Sequence, residues 1–235
     1  MKWARAPKLI VANPIEDVTR PKVEREEIEY LEPSDTVMLL RAATGTRLHA
    51  PVFLALATGI RRGELLALRW SDLDLDRGSL TVAQAIEQTK AGLRFKLPKT
   101  KRSRRSIALS PSVVDLLRAH KVQQARERLA LGLGKDDLGL VFTRLDGSIV
   151  NPRNFSKEFS RLVARAGVRP VSLHGLRHTH FTNLLREGVH PKIASERAGH
   201  ASVAITMDIY SHAVPGLQED AALRIDDALR QLLES

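Results

Sequence analysis

A chain of 235 residues with 43% hydrophobic and 27% charged side chains can bury a sizeable core, and its 14 Gly and 11 Pro exclude collagen-like or low-complexity structure. The absence of Cys excludes a disulfide scaffold, a thiolate metal site and a cysteine nucleophile, and is compatible with a reducing compartment. With 37 Lys+Arg against 27 Asp+Glu the net charge is +10, which favours a polyanionic partner such as nucleic acid, although anionic lipid would attract it too.

Residues 1–32 are broken by Asn13-Pro14 and Arg20-Pro21 and then turn acidic, as expected of a linker. The segment Met1 to Arg5 lacks the apolar run of a secretory signal, and the apolar stretch Pro51–Gly59 falls far short of the roughly 20 residues of a membrane span, so a cytoplasmic location without membrane contact is expected. Ser34 or Asp35 can cap a first helix carrying Val37, Leu39, Leu40 and Ala43; Pro51–Ala57 reads as a second, stopped by Thr58-Gly59, and Glu64–Leu68 begins a third. Leu80–Ile86, Leu93–Leu97 and Ser106–Leu109 read as the strands of a three-stranded meander.

Between the last two strands, Lys99, Lys101, Arg102, Arg104 and Arg105 form a basic hairpin. A run of this kind is often a solvated turn, but in a basic chain a phosphate-facing hairpin is the stronger reading. Ser110-Pro111 starts a long helix and Asn151-Pro152 the next, which ends at Gly167; further helices follow from about Leu173, Pro191, Val203 and Leu217. The fold class expected is α+β, mainly helical, with a small three-stranded antiparallel sheet, over residues 33–214, followed by a C-terminal helix in 215–235.

Three polar clusters interrupt this pattern. In LHGLRHTH, His174 and Arg177 are spaced i,i+3, so an imidazole and a five-donor guanidinium share one helical face that could hold a phosphate. His174 and His178 have zinc-helix spacing, but the intervening Glu is missing and Arg177 would repel a cation. In TGIRRGE, glycines bracket Arg61 and Arg62 at a helix start, whose amides could face an anion. The third cluster is AGH at 198–200 followed by ITMDIYSH at 205–212, where Tyr210 is one of two tyrosines in the chain. A tyrosine alone is most often a packed aromatic.

Taken in order, TGIRRGELLALRWSDLDL, LPKTKRSRRSIAL, HGLRHTH, ERAGH and TMDIYSH resemble the active-site motifs of the tyrosine recombinases, the phage integrase family, across about residues 33–214. The resemblance implies that fold and a catalytic set of Arg61, Lys99, His174, Arg177, His200 and Tyr210. Two guanidiniums would clamp the non-bridging oxygens of a DNA phosphodiester without metal or other cofactor. Tyr210 would attack to form a reversible 3′-phosphotyrosyl ester, its phenolic proton passing to His174. Lys99 resembles the general acid for the departing 5′-hydroxyl, and His200 is expected to hydrogen-bond the phosphate. Glu64 is expected to orient an Arg or His, Lys101, Arg102, Arg104 and Arg105 to contact DNA, and His178, His180 and His212 to hold helices.

The family works as a tetramer on double-stranded attachment sites, in a bacterial host at the nucleoid. The apolar stripe Leu217, Ala221, Ile225, Leu229 and Leu232 suits docking on a neighbouring protomer or on its own domain. Integrases ordinarily carry a core-binding domain upstream; Trp3–Pro14 resembles its end, so a catalytic-domain piece, monomeric by itself, is expected. Alternatives are a non-catalytic DNA-binding regulator, a type IB topoisomerase and a zinc-dependent hydrolase. Within the family, an integrase acting on a mobile element is preferred to an Xer-type resolvase on the motif around Arg61.

Overall fold

The computed structural model describes residues 29–97, 104–134, 138–200, 202–210 and 217–233, of which 208–210, 217, 218 and 220 by backbone alone. Chain entry already belongs to the packed domain: Leu31 is fully buried, its N–H donates to Thr179 Oγ1 at 2.9 Å, and Arg186 pairs with Glu32 at 2.9 Å. Tyr30, Leu31 and Glu32 are thus tied to the domain rather than part of the linker expected over residues 1–32, Leu31 being the apolar side chain drawn into the core while Glu29 stays exposed.

Helix α1 (Pro33–Ala43) starts one residue before the expected cap, since Pro33 supplies the helical φ of a first turn, and it buries Leu39 and Ala43. The nearly all-apolar α2 (His49–Thr58) is buried along most of its length and stops at Gly59, whose φ of 63° is left-handed. The five-residue α3 (Arg62–Leu66) begins where the Glu64 carboxylate accepts the Arg61 N–H at 3.0 Å.

Among the described residues five strands follow: β1 (Leu73–Asp74), β2 (Ser79–Val82), β3 (Ala85–Thr89), β4 (Gly92–Lys96) and β5 (Arg105–Ala108). The three-stranded antiparallel sheet has the order β1-β2-β5, while β3 and β4 form a separate two-stranded ribbon. This corrects the expected meander. The run Leu80–Ile86 is two strands, divided where Gln84 Nε2 donates to Ala67 O at 2.8 Å, and β5 returns across the ribbon to pair with β2. In that pairing Leu80 faces Ile107 and Val82 faces Arg105, so the buried side of β5 carries Ile107 and Arg105 in alternation with exposed Ser106 and Ala108.

The remaining helices are α4 (Pro111–Ala130), α5 (Pro152–Ala166), α6 (Leu173–Arg186), α7 (Pro191–Ala198), α8 (Val203–Tyr210) and α9 (Leu217–Leu233). Asn151 Oδ1 accepts the Arg153 N–H at 2.8 Å to cap α5, and Ser172 Oγ accepts the Gly175 N–H at 3.1 Å to cap α6. The α6 helix joins two cores. Leu173 and Leu176 belong to the large one with α1, α2 and α5, while Phe181 and Leu185 form a small one with Ala194 and Ala198 of α7. Helices α2, α7 and α8 all pack on α6, so this helix sets where polar groups converge. Among the described residues no helix is long and apolar enough to cross a membrane.

Candidate active site

Arg177, near the middle of α6, is 2% exposed. Its Nη1 donates to Gly59 O at 2.5 Å and its Nη2 to Ala198 O at 2.6 Å, and the guanidinium lies 4.9 Å from the Phe181 ring centre. Both carbonyls sit at helix C-termini, the negative ends of α2 and α7, which stabilise the buried cation and fix its plane without cancelling its formal charge. Gly59 is required where it stands. A Cβ there would meet His180 Cδ2 at 2.7 Å and Phe181 Cε2 at 2.7 Å, and the left-handed φ adds strain for any other residue.

His200 follows Gly199 at the end of α7. Arg177 Nη2 lies 3.1 Å from His200 Nε2, and His200 Nδ1 lies 2.8 Å from Thr206 Oγ1 on α8. A guanidinium can only donate, so Nε2 carries a lone pair and the ring proton is on Nδ1. Burial, then the charges of Arg177 and Arg61, push the His200 pKa down to about 4, so the ring is neutral at pH 7. In this structure the ring bridges Arg177 and Thr206. Thr206 is fully buried. Tyr210 lies one helical turn beyond it on α8, a position on the same side of that helix.

His174 stands open to solvent one turn before Arg177, its ring 4.6 Å from that of His178 and perpendicular to it. Partial burial, then the nearby Arg177 and Arg61 charges, hold its pKa below the ordinary histidine value. It is thereby kept as a free base at neutral pH. His178 is pushed down to about 4 by burial, then by His174 and Arg177. His180 is pushed to about 3 by burial and by Arg197, while its Nδ1 lies 2.8 Å from Leu56 O. The carbonyl accepts, so His180 ties α6 to the end of α2.

Arg61 is the N-cap residue of α3 and its side chain is 39% exposed, with Nη1 donating to Glu64 Oε1 at 3.0 Å. Its N–H is occupied by Glu64, so the amide expected to meet an anion at this helix start is already satisfied. Arg105 departs further from expectation. Placed among the DNA-contacting cations of the hairpin, it is instead 8% exposed and forks onto Glu64, Nη1 to Oε1 at 3.1 Å and Nη2 to Oε2 at 2.8 Å. Its Nε donates to Arg197 O at 2.7 Å. Strand parity turns it inward beside Ile107, and the buried carboxylate receives it. Burial raises the Glu64 pKa, but the Arg105 and Arg61 hydrogen bonds and charges outweigh that, so the carboxyl lies below its ordinary value.

Arg104 is exposed just before β5, while Lys99, Lys101, Arg102 and His212 lie outside the described residues. Sequence reasoning missed Thr206, Arg197 and the carbonyls of Gly59 and Ala198. Among the described residues no cluster of three or more His, Asp or Glu side chains is placed to hold a metal.

Residues 29–215 match the model of the phage integrase family. The chain is 34% identical over 218 residues to the "Tyrosine recombinase XerC-like" protein of Caldanaerobacter subterraneus, covering 88% of this chain and 56% of that protein. It is 27% identical to the ICEBs1 integrase of Bacillus subtilis, covering 94% of this chain and 61% of that one. The chain thus spans less than two thirds of the length of these relatives. Among solved structures it resembles the Tn1549 transposon integrase in complex with transposon right end DNA, with a TM-score of 0.76 at 22% identity over 92% of this chain and 73% of that one. It also resembles the XerA recombinase, with a TM-score of 0.65 at 25% identity over 86% of this chain and 66% of that one.

Proposed function

Because the chain belongs to the phage integrase family, we propose that it carries the catalytic domain of a tyrosine-type site-specific DNA recombinase, integrating or excising a mobile element. The observation that carries this reading is the buried Arg177, oriented by two helix-end carbonyls and by His200, which is in turn bonded to the helix that bears Tyr210. A cation fixed in this way stabilises the charge that builds on a phosphodiester under attack. The Tn1549 integrase is described with its transposon end DNA, and the +10 charge of this chain suits the same class of partner.

Arg61 and Arg177 hold the non-bridging oxygens of the scissile phosphate. The Tyr210 oxygen forms a bond to phosphorus as the bond from phosphorus to the 5′-oxygen breaks. The phenolic proton goes to His174, whose lowered pKa leaves it unprotonated at neutral pH. Lys99 gives a proton to the departing 5′-oxygen, and attack by the 5′-hydroxyl of a partner strand reverses the steps. Glu64 orients Arg61 and stays outside the chemistry. Lys101, Arg102 and Arg104 contact the DNA backbone. The residues before Glu29 would link to an upstream DNA-binding domain. The exposed Ile225, Leu229 and Leu232 of α9 would dock on a neighbouring protomer in a tetramer on DNA. The XerC-like relative gives a second substrate reading, an Xer-type resolvase.

The test uses nicked duplexes from the flanks of the chain's own gene, with dif-like resolution sites as a second arm, in EDTA. Wild type is expected to form a covalent adduct on denaturing gels and Tyr210→Phe none. An adduct formed equally by Tyr210→Phe would refute the assignment.

A further inference from the structure

The Arg105–Glu64 pair lies behind Arg61 with no role assigned to Arg105 by the chemistry above. We propose that Arg105 is a positioning residue for strand cleavage. It neutralises the buried Glu64 carboxylate, so that Arg61 is oriented by Glu64 without surrendering its charge to it, and it ties β5 to the end of α7. This inference rests on the recombinase reading.

Three observations converge. Glu64 is 8% exposed and receives four donors: the Arg61 N–H, Arg61 Nη1 and both terminal nitrogens of Arg105. The Arg105 side chain is 6% exposed and that of Arg61 39%, so the first cation is enclosed with the carboxylate while the second reaches the surface where a phosphate can approach. Counting charges, one carboxylate and one enclosed guanidinium sum to zero, and Arg61 keeps its full positive charge. Without Arg105 the carboxylate would be buried against Arg61 alone, and a buried unpaired charge draws the nearest cation onto itself. Arg61 would then be turned from the phosphate and half neutralised.

The second part of the device is mechanical. Arg105 Nε bonds the Arg197 carbonyl in the last turn of α7, and the Arg105 Cδ lies 3.1 Å from where a Cβ of Gly199 would stand. Gly199 carries a φ of 63°, so glycine there serves both the left-handed cap and the close passage of Arg105. One guanidinium therefore bridges β5, the Arg61 helix start and the segment that ends in His200.

The test compares wild type, Arg105→Met, Arg105→Lys and Arg105→Met with Glu64→Gln, using the full chain. Cleavage is followed on an ordinary duplex and on one whose scissile phosphate is an uncharged methylphosphonate. Arg105→Met is expected to slow cleavage of the ordinary duplex about 10- to 100-fold, the usual cost of removing a group that orients a reactive one. DNA affinity should fall only slightly, by the one scissile-phosphate contact of Arg61, and the double variant should restore it. The defect is expected to shrink on the methylphosphonate, where less charge needs neutralising. Arg105→Lys should fall between wild type and Arg105→Met, since an ammonium keeps the charge but not the fork onto Glu64 with the bond to the Arg197 carbonyl, and the double variant should recover much of the activity, because a neutral amide in place of the Glu64 carboxylate no longer draws Arg61 by charge.

Equal defects on both substrates would mean a merely structural role and overturn the proposal. So would a fall in affinity that the double variant does not restore, the signature of a phosphate contact made by Arg105 itself. If wild type forms no adduct, the recombinase reading fails by itself, and the proposal is read from the rise in Tm given by inorganic sulfate. That rise should be lost in Arg105→Met and restored in the double variant; its retention in Arg105→Met would overturn the proposal.

Discussion

At the corner built on α6, Arg177 is held by carbonyls from the ends of α2 and α7; at the corner built on α3 and β5, Arg61 is held by a carboxylate. Neutral carbonyls orient a guanidinium and leave its charge intact. A carboxylate orients equally well but would cancel that charge, and here a second guanidinium, that of Arg105, offsets it. The two corners reach the same electrostatic result by different routes, and the difference fixes what each can tolerate. The first depends on the shape of two helix ends, the second on a balance of charges.

The largest effect that could break this comparison is Arg177→Lys. An ammonium keeps the charge but lacks the planar fork that spans Gly59 O and Ala198 O, so cleavage should fall by about 10²–10³-fold while DNA affinity changes little. Near-normal cleavage by the lysine variant would mean that charge alone suffices at this corner. Next comes Gly59→Ala. A left-handed alanine with its Cβ within 3 Å of His180 and Phe181 should lose about 2–4 kcal/mol of stability in urea unfolding, strain and overpacking together. The carbonyl that aims Arg177 would shift, so cleavage should fall as well.

Much of this arrangement is legible in the sequence. Caps such as Asn151 and the glycines after α2 and α5 announce their helices, and His174, Arg177 and Arg61 stand in ordered motifs. What escapes does so for identifiable reasons. Arg105 reads as one member of a basic run, although the alternation Arg105, Ile107, Leu109 already places it on the apolar face of its strand. The break between β2 and β3 is invisible because Ala83-Gln84 contains no turn residue, and the Gln84 bond to Ala67 is a tertiary contact. Thr206 and the two carbonyls around Arg177 carry no signal at all, since their roles depend on how α7 and α8 dock on α6.

A smaller effect sharpens the α6 corner. Thr206→Val keeps the shape but removes the oxygen facing His200 Nδ1, leaving that ring proton unpaired. About 1 kcal/mol of stability should be lost, and cleavage should slow several-fold as His200 loosens its hold on Arg177. An unchanged rate would detach His200 from the orientation of Arg177.

Acid gives the most gradual probe. His178, His180 and His200 have folded pKa values of about 4, 3 and 4, lowered first of all by burial, against about 6.5 when unfolded. Between those values the unfolded chain binds more protons than the folded one, so stability rises with pH across the window. Their contribution is complete above about pH 6.5 and is lost progressively as pH falls towards 4. Urea midpoints measured from pH 7.5 to 4.5 should decline steadily, and a His180→Gln variant should decline less steeply. A flat profile would mean that these rings are charged in the folded protein.

In the proposed reaction Tyr210 becomes bonded to DNA through phosphorus. The chain has one other tyrosine, Tyr30, whose hydroxyl accepts from Arg186 at 3.4 Å, nine residues beyond Arg177 and about 13 Å further along α6. Trapped adduct should be digested with nuclease and protease and its peptides analysed by mass spectrometry. A nucleotide mass on the peptide containing Tyr210 is the result expected, and the same mass on Tyr30 or on a serine would mean that Tyr210 is not the nucleophile.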